Sequence, residues 1–121
     1  MTQNKESQTN PDEYYGWINY ETWLVSLWLN NNEGDYNYLN EIVSNESYTP
    51  EEKIDQIKSW VYEIIDYQTD LSPIPIGCML QDLIPSDMNT DIENKKIVYC
   101  AAIKTLKKVS FAEIYGSASL E

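Results

Sequence analysis

The feature that most limits the fold is a helix start signal at Thr49-Pro50-Glu51-Glu52, followed by a regular apolar pattern. Thr49 can cap the helix, Pro50 suits its first position, and Glu52 completes a capping box. The apolar residues of the next turns then fall on one face of a helix. These residues are Ile54, Ile57, Trp60, Val61, Ile64 and Ile65. The pattern predicts an amphipathic helix over residues 50–67 that packs against other helices.

Helix signals recur along the rest of the chain, whereas the alternating pattern typical of strands does not. Asn19 is a favoured N-cap for a first helix, and Ser110 opens a capping box with Glu113 for a last one. The spacing of apolar residues and prolines predicts three further helices. They cover residues 32–43, 76–84 and 91–108. The sequence therefore predicts an all-α fold, a compact bundle of about six short helices with no sheet.

The chain has the length of one domain with a tail at each end. Hydrophobic residues make up 42% of the 121 residues, which is typical of a folded protein rather than a disordered one. Residues 1–13 are polar and lack periodicity, so they predict a flexible tail. Residues 14–115 form the predicted helical domain. Residues 116–121 predict a second tail, whose last two residues are typical of a cloning scar.

The first predicted helix is apolar around most of its circumference. Trp23, Leu24, Leu27 and Trp28 lie on one side of the helical wheel, and further apolar residues extend the arc. A polar strip completes the wheel and consists of Thr22, Ser26 and Asn30. Such a helix is expected at the centre of a small bundle.

Three residues at the start of this helix are not explained by helix construction. They are Trp17, the hydroxyl of Tyr20, and Glu21, which falls among apolar neighbours. Glu21 either faces the positive end of the helix, as acids in a first turn do, or is a carboxylate in an aromatic setting with a raised pKa. The first interpretation is the simpler one.

The stretch GWINYETWLVSLWLNNNEGDY, residues 16–36, resembles a recurrent motif of small proteins from bacteria, their phages and their plasmids. The motif is close to G-W-x-N-Y-E-T-W followed by L-W-[IL]-x-N-x-x-G. Those proteins also tend to end in V-[NS]-[WF]-x-E-I, which is similar to the segment from Val109 to Ile114 here. The resemblance implies no activity. Because the similar proteins occur in phages and plasmids, it favours a role in host defence or replication.

The charge is strongly acidic. The chain has 20 acidic residues, eight lysines, and neither arginine nor histidine, giving a formal net charge of −12. Five of the lysines come late in the sequence. They are Lys95, Lys96, Lys104, Lys107 and Lys108. An acidic surface of this kind repels nucleic acid and anionic membranes and attracts basic protein surfaces, or else serves solubility alone.

Most catalytic and metal-binding chemistry has no residues to support it. Without histidine, neither nucleophilic catalysis through an imidazole base nor the usual zinc sites can be formed. Residues 87–93 begin like a calcium loop, but Ile92 replaces the glycine of the turn. Cys78 and Cys100 predict two buried free thiols rather than a disulfide. We expect no cofactor and no metal, and a protein that is not an enzyme.

The predicted outer face of the 50–67 helix carries a row of acids. They are Glu52, Asp55, Glu63 and Asp66. The row spans about 21 Å at 1.5 Å per residue, a length over which double-stranded DNA presents several phosphates. It can be the solvated face of an amphipathic helix, or it can imitate nucleic acid towards a basic protein site.

Three functions are consistent with these features. The first is a non-enzymatic cytoplasmic protein, associated with phages or plasmids, whose acidic surface imitates DNA and occupies a basic site on a DNA-binding or defence protein. The second is a helical module that binds a partner through exposed Tyr and Trp and can form a homodimer. The third is an enzyme with a carboxylate or metal site. We expect a protein partner, with no direct binding to nucleic acid and no membrane association.

Overall fold

The computed structural model describes residues 15–71, 77–84 and 95–119. These residues form six α-helices and no strand. The helices are α1 (Tyr20–Asn31), α2 (Glu33–Ser44), α3 (Pro50–Asp70), α4 (Met79–Leu83), α5 (Lys95–Leu106) and α6 (Phe111–Ser119). The predicted all-α fold is therefore confirmed. The predicted tail over residues 1–13 and the calcium-like loop at 87–93 lie outside the described residues.

Predicted capping residues begin three of the helices. The Asn19 side chain accepts a hydrogen bond from the backbone amide of Thr22 at 2.9 Å. Thr49 and Glu52 form the complete capping box of α3, in which each side chain accepts a bond from the other residue's amide. The Ser110 hydroxyl accepts a bond from the Glu113 amide at the start of α6. Local sequence signals thus set where these helices begin.

The helix ends differ more from the predicted boundaries. α3 continues to Asp70, three residues past the predicted end, and α6 continues to Ser119, four residues into the predicted tail. α4 has only five residues instead of the nine predicted for 76–84. α5 ends at Leu106, so Lys107 and Lys108 follow the helix rather than lying in its last turn.

The central helix is α3, which packs against α2, α4, α5 and α6. The prediction that the first helix is central was wrong, because α1 packs mainly against α2, α4 and α6 and leaves Leu27 and Tyr20 exposed. Apolar side chains from all six helices form one core. Its fully buried large members include Leu29, Leu39, Ile57, Ile65, Leu80, Leu83, Leu106 and Ile114.

Two of the three residues of the polar strip of α1, Thr22 and Ser26, point inwards in spite of their polar character, whereas Asn30 is exposed. Thr22 is fully buried and Ser26 is 5% exposed, whereas Leu27 on the predicted apolar side is 38% exposed. Both polar side chains are small and are hydrogen-bonded, Thr22 to Asn19 and Ser26 to Asn30. Burial of a hydroxyl costs little when the hydroxyl is hydrogen-bonded, so these two side chains can face the core.

Candidate interaction surface

The four predicted acids lie on the outer face of α3. Glu52, Asp55, Glu63 and Asp66 are all exposed, and at 3.6 residues per turn they fall within an arc of about 80°. The opposite face of α3 contributes Ile57, Val61 and Ile65 to the core. We call these four residues the acidic stripe. The Glu52 carboxylate also accepts the Thr49 amide of the capping box, so it has a structural role as well.

Acids of α2 lie beside the acidic stripe. The rings of Tyr38 in α2 and Trp60 in α3 meet edge to face, with centroids 4.7 Å apart, and mark the seam between the two helices. Glu41 lies one turn after Tyr38, and Glu63 lies one turn after Trp60. Exposed carboxylates of two neighbouring helices therefore lie within one helical turn of this seam.

Exposed acids are frequent along the whole hairpin formed by α2 and α3. Nine of its acids are exposed. They are Glu33, Glu41, Glu46, Glu51, Glu52, Asp55, Glu63, Asp66 and Asp70. Six of the nine lie on the 21 residues of α3, about 32 Å of helix, which is about one charge per 5 Å, compared with about 3.4 Å per phosphate of one DNA strand.

The two lysines of this hairpin do little to neutralise it. The Lys53 ammonium donates a hydrogen bond to the Val43 carbonyl at 2.7 Å and thereby ties the start of α3 to the end of α2. Lys58 lies at the edge of the outer face, 5.9 Å from the Tyr62 ring centroid. The other lysines with described side chains belong to α5 and the two residues that follow it. They are Lys96, Lys104, Lys107 and Lys108, all exposed.

The two segments that carry the sequence motif meet in space, although the residues that bond to each other are 88 to 95 positions apart in the sequence. The Glu113 carboxylate accepts the Ile18 amide at 3.0 Å, and the Asn19 amide group donates to the Lys108 carbonyl at 2.8 Å. The Thr22 hydroxyl donates to Asn19 at 2.6 Å and accepts the Ser110 amide at 2.9 Å. We call this network the clasp.

The clasp alters the predicted capping box of α6. Ser110 accepts the Glu113 amide as predicted, but Glu113 bonds to Ile18 instead of returning a bond to Ser110. Thr22 accepts the Ser110 amide in its place. The polar residues of both motifs therefore join the start of α1 to the start of α6, which is a structural role.

The remaining motif residues lie next to the clasp. Gly16 has a φ of +86°, a backbone conformation that favours glycine. Trp17 is half-buried, packs against the core, and lines a cavity of about 460 Å³ with Glu113 and Gly116. Tyr20 is 43% exposed and its ring lies 5.7 Å from that of Trp23.

Glu21 lies half-buried in the first turn of α1, where a carboxylate faces the positive end of the helix dipole. Both interpretations of Glu21 place it in this turn, so its role stays a prediction. Glu21, Tyr20 and Trp17 all lie at the start of α1, whereas the acidic stripe lies on α3.

A second cavity, of about 330 Å³, lies between α1, α2, α3 and the start of α4. Its described lining includes Trp28, Asp35 and Gln68, and Asp35 is the one carboxylate among them. Partial burial raises the pKa of Asp35 above its ordinary value. Burial also raises the pKa of Tyr62, with a smaller contribution from the neighbouring Tyr99.

The described residues hold no cluster of three or more potential metal ligands. Cys78 and Cys100 form no disulfide, as predicted, but neither is fully buried: Cys78 is half-buried, and Cys100 is exposed on the outer face of α5. Within the described residues, no helix combines the length and the apolarity needed to cross a membrane.

Comparison with known proteins gives one match. The model of a family described as a family of unknown function, DUF7249, matches residues 10–106. This range contains α1 to α5 and leaves out α6, the partner of α1 in the clasp. No curated protein and no solved structure matches the chain.

Proposed function

This chain belongs to DUF7249, a family of unknown function, and we propose that it is a non-enzymatic interaction protein. Its acidic α2–α3 hairpin occupies a basic site on a protein that binds DNA. The acidic stripe supplies the centre of the surface, and Glu33 and Glu41 of α2 extend it. In this role the hairpin imitates a DNA strand and competes with DNA for the site.

The observation that carries the proposal is the separation of charge. Nine exposed acids lie on the α2–α3 hairpin, whereas the exposed lysines, apart from Lys58 at its edge, follow one another along α5. A solubilising charge needs no such arrangement, since scattered acids keep a protein soluble equally well. A surface of one sign steers a partner of the opposite sign and increases the rate of association.

The sequence motif adds a setting to this proposal. Its resemblance to small proteins of phages and plasmids favours a target in host defence or in replication, both of which depend on proteins with basic DNA-binding sites. Cytoplasmic location follows from such a target.

The test is capture by the full chain followed by elution with DNA. The immobilised protein is exposed to a lysate of the source organism at about 0.1 M salt, and bound proteins are eluted with double-stranded DNA. We expect a DNA-binding protein in the eluate whose binding to a DNA probe the free chain inhibits. The variant Asp55→Asn/Glu63→Gln, which raises the net charge from −12 to −10, should weaken this inhibition roughly tenfold.

A control variant with the same change in net charge is Asn31→Lys/Ala112→Lys. Both residues are exposed, at the end of α1 and in α6, and neither lies on the hairpin. It should inhibit as strongly as the unmodified chain. The proposal is contradicted if DNA elutes nothing, or if the stripe variant and the control behave alike.

The second candidate function, binding through exposed aromatic side chains, is favoured by one observation. Tyr15, Ile18 and Tyr20 are 80%, 50% and 43% exposed at the start of α1. Aromatic residues are frequent at the energetic centre of protein interfaces. If this candidate is correct, Tyr20→Ser abolishes capture while Asp55→Asn/Glu63→Gln does not.

A further inference from the structure

The outer face of α5 carries a row of exposed lysines. Lys96, Lys104 and Lys107 are all exposed, and Cys100 lies exposed among them. Although α5 ends at Leu106, the Lys107 amide still donates to the Ile103 carbonyl at 3.0 Å, so the helical repeat includes Lys107. We call these three lysines the lysine stripe.

The lysine stripe and the acidic stripe have the same spacing. Lys96, Lys104 and Lys107 are separated by eight and then three residues, and so are Asp55, Glu63 and Asp66. Both rows therefore rise by about 12 Å and then about 4.5 Å along their helix axes. From its C-terminal end the lysine stripe has intervals of three and then eight residues, which is the order of Glu52, Asp55 and Glu63 along α3.

We propose that a second copy of this chain docks its lysine stripe on the acidic stripe, so that the protein associates with itself through α3 and α5. Asp55 and Glu63 face lysines whichever way the two helices run. Long, flexible lysine side chains can absorb lateral offsets between the two rows. The contact uses the surface that the proposed function assigns to a basic partner, but it does not depend on that function.

The net charge limits the strength of this contact and gives it an unusual salt dependence. Two chains of charge −12 repel each other at long range. At about 0.15 M salt the Debye length is about 8 Å, so the distant charges are screened while carboxylates and ammonium groups in contact still attract. Self-association is therefore weak, strongest near this salt concentration, and lost at about 1 M, where the Debye length is about 3 Å.

Self-association competes with the partner for the acidic stripe. A copy docked on the stripe covers Asp55 and Glu63, so a basic protein has to displace it. The chain would then keep its acidic surface covered when its own concentration is high and present it when a stronger basic surface arrives.

The test is sedimentation equilibrium of the purified full chain over a range of protein concentrations. We expect the mean mass to increase with concentration at about 0.15 M salt and to fall to the monomer value at about 1 M. The variants Lys96→Glu/Lys104→Glu and Asp55→Lys/Glu63→Lys should each weaken self-association roughly tenfold or more, because both replace attraction with repulsion. An equimolar mixture of the two variants should associate again, because each supplies the charge that the other has lost.

The matched control is Asn31→Lys/Ala112→Lys/Ser117→Lys/Ser119→Lys, which changes the net charge by +4, as the α3 variant does, at exposed residues of α1 and α6. It should associate as the unmodified chain does. A chain that remains monomeric at every concentration, a mixture that does not associate, or a control as weak as the α3 variant would each overturn the proposal. The α5 variant keeps the acidic stripe, so it retains capture of a basic partner even where self-association fails.

Discussion

Thr22 has the lowest exposed fraction of the buried polar side chains in the part of the chain that the structure describes. Its side chain is fully buried, and its hydroxyl both donates to Asn19 and accepts the Ser110 amide. It therefore joins the N-cap of α1 to the start of α6 through one oxygen atom. Asn19 and Ser110 both bond to this oxygen. An amide that is shielded from water and loses its acceptor keeps the cost of its desolvation, so the Ser110 amide depends on Thr22.

The variant Thr22→Val keeps the shape of the side chain and removes the hydroxyl. We expect the free energy of unfolding to fall by about 1–3 kcal/mol, because the Ser110 amide is left without its acceptor. Urea denaturation measures the change. Ser26→Ala is the comparison, since Ser26 is also buried but bonds only within α1. A Thr22 variant that is no less stable than the Ser26 variant would show that the clasp contributes nothing.

The elements of this fold differ in how far sequence predicts them. Asn19, Thr49 and Ser110 were identified as caps from adjacent residues alone, and each has its predicted hydrogen bond. The helical wheel of α3 has one apolar face, so its outer face was predictable as well. These features depend on short-range chemistry that can be seen in a few consecutive residues.

The orientation of α1 was not predictable in this way. Its wheel is apolar almost throughout, so either side could face the core, and the packing of α2, α4 and α6 decides. The clasp was missed for a similar reason, because Thr22 and Ser110 are 88 positions apart. The one signal that could have found it is that both segments belong to the same sequence motif.

The acidic stripe should cost α3 stability. Asp55 lies one turn after Glu51 and Glu52, and Glu63 lies one turn before Asp66, so like charges face each other along the helix. In Asp55→Lys/Glu63→Lys these repulsions become attractions of about 0.2–0.5 kcal/mol each. We expect a free energy of unfolding that is higher by about 1 kcal/mol, measured in urea at low salt.

This prediction also separates function from folding. If the variant is more stable than the unmodified chain but no longer binds a basic partner or a second copy, the substitutions have removed the binding surface and left the fold intact. The comparison is Thr49→Ala, which removes the α3 cap and should lower the free energy of unfolding by about 1 kcal/mol while leaving the stripe charges in place. If reversing the stripe charges destabilises the protein instead, these carboxylates make contacts that stabilise α3.

On the scale of the whole molecule, charge separation and net charge act against each other. The exposed acids of the α2–α3 hairpin and the exposed lysines of α5 lie on different helices around one core. The net charge of −12 destabilises the folded state, because like charges within the compact chain repel one another. Stability should therefore depend on salt through the net charge, whereas association depends on which side of the molecule carries each charge.

The salt dependence of unfolding tests this distinction. Raising the salt from about 0.01 M to about 0.1 M shortens the Debye length from about 30 Å to about 10 Å and relieves repulsion within the folded chain. We expect the urea midpoint of the unmodified protein to rise over this range. The rise should be larger for Lys96→Glu/Lys104→Glu, whose net charge is −16, and smaller for Asp55→Lys/Glu63→Lys, whose net charge is −8. Equal rises for all three proteins would mean that local ion contacts, and not the net charge, set the response of the fold to salt. In that case the same variants would still differ in self-association, because that contact depends on the position of each stripe.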